Sequence, residues 1–566
     1  MKLFKRFPFS ESLALIVPMS LILPNAYICL LNDLSAVEDV ALVLLPVGVY
    51  LLLMALSANT PRTTVLLFPL MFIAAFQIVV SYLYHDGSPI GVDMFLNVWT
   101  TNLTEVDELL RSILLPVVIV VLLYLPLTIA AAVSWHRHQR TARSFLCRLR
   151  YAALAVGALG MAACIYCIVT KPVYELHTDL FPVNALCNLK EAIVRQSRMN
   201  NYRSNSENFR YRAISTHKAG KELYIAVIGE TSRADNWQIL GYDRHTNPLL
   251  SSYGDRVIAY KNVFSESNTT HKSVTMLLNT LSSDDYNGGI YSHKSVITAF
   301  KEAGFHTSFF SIQCPNHSLV ETYSKEAQTV KFIAGSRGMP VMDEKVLPMV
   351  DSVMADKSNA KKLIVLHLYG SHYDYADRYP PKFALFKPDH HQQANLENRS
   401  QLINAYDNTI VYTDYVLSEL ISRLKSVGCN AALIYTSDHG EDIFDDARRK
   451  FLHASPRPTY WQLHVPLLIY MNQNYASTYP PLRANALNNR LKLISSSKSF
   501  SQTLLHMAGI ATPYAHDAQS LLSPNLRSID TLHYLTDINE SADLMEWGFC
   551  DDDKLKVKQL LSNGHH

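Results

Sequence analysis

A bundle of five transmembrane helices followed by a doubly wound α/β domain is the architecture this sequence predicts, on three observations. The first 170 residues hold five apolar runs near the ~20 residues that a bilayer requires. From residue 222 onward, strand-like and helix-like segments alternate. Two of the strand-like runs, ELYIAVIGETSRAD (222–235) and AALIYTSDHGE (431–441), stop abruptly on carboxylate and imidazole side chains. Open parallel sheets gather ligands at the carboxyl ends of their strands, so both runs would deliver polar residues to one crevice.

The five expected spans are residues 11–31, 38–58, 63–84, 113–134 and 151–170. The first follows Lys2, Lys5 and Arg6, but its length and the spans behind it favour a retained helix over a cleaved signal peptide. The basic stretch HRHQRTARSFLCRLR (136–150) separates spans four and five. The loops after spans one and three carry Asp33, Glu38, Asp39, Asp86, Asp93 and Glu105 instead. With positive loops inside and an odd number of spans, everything after residue 170 lies outside the cytoplasm.

Three parts follow from this: a transmembrane domain (1–170), a connector (171–220) and an α/β domain (221–566). The connector stretch NALCNLKEAIVRQSRMNNYR (184–203) has apolar residues at helical intervals and a basic opposite side. Such a helix can lie on a membrane surface or serve as a plain linker. A net charge of +2 gives no reason to expect nucleic acid as a partner. Cys187, Cys314, Cys429 and Cys550 fall on the oxidising side, which allows at most two disulfides and fixes none.

In the α/β domain, LYIAVIG (223–229), VIAYKNVF (257–264), HTSFFSI (306–312), KKLIVLHLYG (361–370) and AALIYTSD (431–438) read as strands. The clearest helix is residues 404–428, ended by Gly428, and another helix is expected near Ser232. KPDHHQQANLENRSQ (387–401) reads as a polar surface loop.

Glu230, Asp438 and His439, at the ends of buried strands, are a donor set for a zinc-type cation. The stretch NVFSESNTTHKSVTMLLNTLS (262–282) puts Thr270 in the first turn of a helix, where backbone N–H groups and the helix dipole favour an anion. Thr270 is therefore the candidate nucleophile toward phosphorus, although Thr269 or Thr270 could equally serve only as a cap. His367, His372 and His453 follow or adjoin strand ends and could bind a second cation or a phosphate.

Several separated motifs, taken in order, resemble one family: GETSRADNWQILGYDRHTNP (229–248), TTHKSV (269–274), LHLYGSH (366–372), NAYDNTIVYTDYVL (404–417), SDHGE (437–441) and LHASP (452–456). The chain resembles the membrane-bound phosphoethanolamine transferases of Gram-negative bacteria, within the alkaline phosphatase and sulfatase superfamily. The resemblance implies a sulfatase-like domain in the periplasm behind an inner-membrane anchor. It implies that Glu230, Thr270, Asp438 and His439 hold a catalytic zinc, with Thr270 as the nucleophile. His372, His453 and, less directly, His367 match positions for substrate or a second zinc. MFLNVWTTNLTEVDELL (94–110) resembles the family's substrate-proximal loop, with Asn97, Thr101 and Glu105 at a four-residue spacing that shares one helical face.

The implied reaction moves phosphoethanolamine from phosphatidylethanolamine to a lipid A phosphate or another lipopolysaccharide or glycan acceptor, in a monomeric enzyme surrounded by membrane lipids. Manganese suits the same oxygen and nitrogen ligands. The rival readings are a glycerol-phosphate transferase of the lipoteichoic-acid type and a non-catalytic, membrane-anchored metal-binding protein. The chain departs from its resemblance at one point of structural weight. Where many relatives have cysteines flanking the nucleophile helix, Glu266 and Met276 or Leu277 stand here, so no disulfide clamps that loop. A milder departure is LHA in place of LHG at 452–454.

Overall fold

The structure, a computed structural model, describes residues 9–31, 34–84, 90–100, 103–170, 180–217, 220–315, 318–333, 341–390 and 393–562. Contacts divide the chain into two compact units, residues 1–95 with 109–193, and residues 96–108 with 194–566.

The first unit is helical. Among the described residues, four stretches are long and apolar enough to cross a bilayer: Phe9–Leu30, Ala36–Leu56, Ile113–His136 and Arg143–Thr170. A fifth span results if Thr60–Leu66 and Phe68–Tyr82, which meet at 54°, count as one. Pro69 stands at this bend, where it withholds an N–H from the preceding turn. Much of the basic stretch expected as a loop is helical, since the last span begins at Arg143. Helices Ala36–Leu56 and Arg143–Thr170 touch backbone to backbone at Gly48, Gly157 and Gly160. A Cβ on Gly48 would collide with Gly157, and one on Gly160 with Leu45. Small residues allow such close approach in lipid, where dispersion contacts rather than water exclusion hold helices together.

The connector stretch forms helix α1 (Val183–Asn200). The second unit is built on a seven-stranded sheet: β1 (Glu222–Gly229), β2 (Val257–Tyr260), β3 (His306–Ser311), β4 (Thr329–Phe332), β5 (Lys361–His367), β6 (Asn430–Ser437) and β7 (Leu467–Met471). Their order across the sheet is β2-β7-β6-β1-β5-β3-β4. β1 lies centrally and pairs in parallel with β5 and β6. Every residue of β1 is buried, as a strand covered on both faces requires. Only β7 runs against its neighbours.

Register decides what the sheet presents at its rim. Gly229 pairs with Ser437, and Ile228 with His367, so Glu230 and Asp438 leave adjacent strands side by side and His367 stands at the same edge. Two helices complete the frame needed here: α2 (Thr270–Leu277) and α3 (Arg399–Ser426). A final pair of strands, β8 (His533–Leu535) and β9 (Ser541–Asp543), forms an antiparallel hairpin, and α4 (Asp551–Ser562) follows it.

The five strands read from sequence are present, with 257–264 divided into β2 and a two-residue pairing at Val263–Phe264. β4 and β7 lacked a signal: β4 is largely exposed, and β7 spans only five residues behind Pro466. The helix expected near Ser232 is replaced by two 3₁₀ turns, Ala234–Asn236 and Gln238–Leu240. Thr231 there adopts φ +59°, which no right-handed helix accommodates. Cys187, Cys429 and Cys550 form no disulfide.

Candidate metal centre at the strand ends

Glu230 leaves β1 into a turn fixed from three sides. Tyr406 of α3 donates through its hydroxyl to Thr231 O at 2.7 Å and accepts from Arg233 N at 2.8 Å. Ser232 N donates to Ser437 Oγ at 2.8 Å. Gly370, at φ +53°, lies against the Glu230 backbone, and a Cβ there would stand 2.7 Å from Glu230 O. Only glycine meets both the left-handed backbone and that approach.

Asp438 and His439 leave β6 beside this turn. Asp438 Oδ1 accepts from Thr231 N at 3.0 Å and His439 N at 2.7 Å, while Oδ2 is buried with no hydrogen-bond partner. The next residues hang on the segment before β7: Gly440 N donates to Gln462 O, and Glu441 N to Trp461 O.

Thr270, the first residue of α2, donates through Oγ1 to Glu230 Oε1 at 2.8 Å. The same oxygen lies 3.3 Å from His439 Nε2, which is 3.5 Å from Glu230 Oε1 and 3.2 Å from Asp438 Oδ2. Three separate stretches thus converge on one point, and it is buried. His453 joins them: one of its ring nitrogens, one of His439 and a Glu230 oxygen all lie within 4.8 Å of one another.

Two imidazoles are oriented as metal ligands through carbonyls. The Nδ1 atoms of His439 and His372 face Gly440 O at 2.9 Å and Tyr373 O at 2.7 Å, so they donate and turn Nε2 toward the centre; Nδ1 of His453 faces Glu441 Oε1 at 2.9 Å. His372 stands beside His453, ring centres 6.2 Å apart, and His453 beside His439 at 4.2 Å. His367 is buried, with Nδ1 3.3 Å from Ser311 Oγ and Nε2 3.9 Å from Glu230 Oε2.

The electrostatics favour added positive charge. Burial lowers the pKa of His439, but Asp438 and Glu230 outweigh it and raise the value to about 9. Burial raises the pKa of Glu230, but His439 and the other histidines overcome this and hold it well below the ordinary value. Burial and the Glu230 charge push Asp438 up to about 8. Burial holds His367 and His372 down at about 4 and His453 at about 3, so all three are neutral near pH 7. Two carboxylates, an unpartnered carboxylate oxygen and bare ring nitrogens make a donor set that fits zinc.

Several side chains that shape the centre carried no sequence signal. Gln313, just past β3, donates to Glu230 Oε2 at 2.8 Å and Leu368 O at 3.1 Å, so it holds the oxygen that Thr270 does not use. Glu441, which closes the SDHGE stretch legible in the sequence, orients His453. Asn268 and Gln462 support the loop behind His453, whose neighbours Leu452 and Ala454 have φ +67° and +64°. Asn97 is half-buried in helix Val92–Thr100. Thr101 and the side chain of Glu105 lie outside the described residues.

Comparison with known proteins matches the geometry. The sulfatase family model matches residues 222–510, just over half of the chain. The chain is 30% identical over 312 residues to phosphoethanolamine transferase EptA of Salmonella typhimurium, covering 54% of this chain and 56% of that protein. It is 28% identical over 268 residues to the Kdo(2)-lipid A phosphoethanolamine 7''-transferase of the same organism, covering 46% of each. The chain's match thus spans about half the length of these curated relatives. Among solved structures, the integral membrane lipooligosaccharide phosphoethanolamine transferase A of Neisseria meningitidis superposes with a TM-score of 0.70 at 20% identity, covering 90% of this chain and 98% of that one. The periplasmic domain of EptC from Escherichia coli, in complex with Zn, gives 0.53 at 23% identity, covering 58% and 94%. These likenesses show a shared fold, apolar helices ahead of a sulfatase-like α/β domain, and the helices mark a membrane protein. With residues 222–510 carrying the strand-end centre, the chain belongs to the sulfatase family, and the two curated relatives described above are phosphoethanolamine transferases.

Proposed function

We propose that this chain is a bacterial inner-membrane enzyme that transfers phosphoethanolamine from phosphatidylethanolamine to a lipid A phosphate, or to another lipopolysaccharide or glycan acceptor, through a threonine-bound intermediate. Residues 1–170 anchor it, 171–220 connect, and 221–566 work in the periplasm. The observation that carries the reading is the Thr270 hydroxyl at a helix N-terminus, 2.8 Å from Glu230 and 3.3 Å from His439.

Glu230, Asp438, His439 and Thr270 would hold zinc, with His453 near enough to contribute. When bound, zinc supplies a lowered pKa for the threonine hydroxyl and offsets negative charge on the phosphoryl oxygens. Glu230 fixes the direction of Oγ1 through their hydrogen bond, leaving its remaining lone pair for attack. Oγ1 forms a bond to phosphorus while the bond from phosphorus to the diacylglycerol oxygen breaks, and diacylglycerol leaves with a proton in exchange for the one Thr270 gives up. An acceptor oxygen then attacks the same phosphorus while the bond from phosphorus to Oγ1 breaks. His372, neutral and bare at Nε2 beside His453, takes the acceptor's proton, and a proton passed back to Oγ1 returns Thr270 to its starting state.

Purified full-length protein with labelled phosphatidylethanolamine tests the first half-reaction. Diacylglycerol release and phosphoethanolamine on Thr270 by mass spectrometry are expected. Release from phosphatidylglycerol alone refutes the reading and favours a glycerol-phosphate transferase. Mass spectrometry of lipid A and core from cells with and without the gene identifies the acceptor.

A further inference from the structure

Helix α2 holds the attacking hydroxyl; its later residues Val274, Met276 and Leu277 pack into the core, while its first turn has little of its own to fix it. The helix is eight residues long, Thr269 makes no side-chain cap, and Lys272 puts a cation in the first turn, where the helix dipole disfavours one. Its support comes from the C-terminal hairpin. Three successive residues of and just past β8 each bind the nucleophile segment. Tyr534 donates through its hydroxyl to Asn268 Oδ1 at 2.7 Å. Leu535 N donates to Glu266 O at 2.7 Å. Thr536 O accepts from Lys272 Nζ at 2.8 Å.

The contacts reach the site from behind. Two residues of helix turn the side chain by about 200°, so Lys272 points away from Thr270 and anchors the opposite face of α2. Lys272 is 2% exposed, so its ammonium depends on carbonyls such as those of Thr536 and Asp537. Asn268 passes the hold onward: its Nδ2 donates to Ser455 O at 2.8 Å and Gln462 Oε1 at 2.6 Å, and its carbonyl accepts from Ala454 N at 3.1 Å. Ala454 and Ser455 directly follow His453. The hairpin is itself held, since Arg195 of α1 donates to Asp537 O at 2.8 Å and Asn539 Oδ1 at 3.1 Å. The buried Glu266 carboxylate adds a lateral tie, accepting from Ser283 N and Ser495 Oγ at 2.7 Å each.

We propose that the hairpin β8–β9 is a non-covalent clamp that sets Thr270 and His453 relative to each other, with Tyr534, Asn268 and Lys272 as positioning residues. The proposal rests on the transfer reaction proposed above. Misplacing reacting groups by about 1 Å costs on the order of 10²-fold in rate, so loosening the clamp acts on turnover rather than on donor binding.

The test compares full-length wild type, Tyr534→Phe, Lys272→Met and Lys272→Arg for diacylglycerol release from labelled phosphatidylethanolamine, alongside zinc content and melting temperature. Tyr534→Phe and Lys272→Met are expected to lower kcat about 10-fold or more, with KM, zinc content and melting temperature near wild type. Lys272→Arg is expected to recover much of the loss, because a guanidinium can reach the same carbonyls. Unchanged kcat in both variants overturns the clamp, as does a loss matched by falling zinc content or melting temperature. If wild type releases no diacylglycerol, or Thr270→Ala still does, the transfer reading fails instead, which keeps the two failures distinct.

Discussion

Thr270 and Glu230 stand forty positions apart in the chain, and the hydroxyl of one lies 2.8 Å from Oε1 of the other. A threonine used only as a helix cap would turn its oxygen to the amides of its own first turn. Thr270→Ala is therefore expected to lower diacylglycerol release by about 10³-fold or more while the fold survives. Elemental analysis of the same sample should find most of the zinc retained through Glu230, Asp438 and His439; activity near wild type rejects Thr270 as the nucleophile.

Metal affinity should rise with pH. His439 is raised to about 9, so below that value a proton competes for the Nε2 that a metal needs, and binding must expel it. Chelator competition between pH 7 and pH 9 is expected to give a gain in affinity of about tenfold per unit or more, since Asp438, raised to about 8, sheds its proton over the same range; a flat profile contradicts the assignment of these ligands.

The buried histidines should make the stability of the metal-free protein depend on pH. His367, His372 and His453 have folded pKa values of about 4, 4 and 3, below the ordinary 6.5. The contribution of such lowered groups is fully present above pH 6.5 and is lost as pH falls through the folded values, by up to about 1.4 kcal/mol per unit for each histidine. His439 has the opposite sign: its contribution is full below pH 6.5 and lost as pH rises through about 9. Asp438, raised to about 8, has the same sign as His439. From pH 7 to pH 5 the denaturant midpoint of His367→Gln should therefore fall less, or rise more, than that of wild type.

Ala454→Gly should stabilise the protein. Ala454 has φ +64°, a backbone that costs an ordinary residue about 1 kcal/mol and glycine almost nothing. The reverse holds for Gly370→Ala, where the new methyl would meet the Glu230 backbone. Thermal melts of the two variants should move in opposite directions.

Asp553 of α4 is buried and binds Arg448 through both oxygens, at 2.6 and 2.8 Å, and accepts from Tyr460 N at 3.1 Å. Removing it leaves the Arg448 guanidinium short of a partner and should cost about 3 kcal/mol. Because Tyr460 begins the segment whose carbonyls hold Gly440 and Glu441, Asp553→Ala should also weaken zinc retention, which equilibrium dialysis can check.

The residues legible in the sequence were those at abrupt chemical boundaries. An apolar run ending on Glu230 or on Asp438-His439 announces a strand end, and the parallel pairing of β1 with β6 sets those ends side by side. Thr270 was legible because polar residues precede a helical pattern. The sequence marks His453 only as a candidate for substrate, a phosphate or a second cation; that its ring lies against His439 is not legible, because proximity across loops leaves no mark in spacing. Gln313, Asn268 and Tyr534 were invisible for a related reason: each acts through one hydrogen bond to a distant residue, and neither periodicity nor a charge pattern registers that. The turn after Glu230 misled because Ser-Arg-Ala-Asp has the composition of a helix start, whereas Tyr406 and Asp438 tie its backbone into another shape.

The clamp also fixes an order of events during synthesis. Glu230 and Thr270 emerge early in the domain, but the strand that steadies α2 begins at His533. On the proposal above, a growing polypeptide carries Thr270 without this support until almost all of the domain has followed, and a message truncated ahead of that stretch is expected to yield a product without transfer activity.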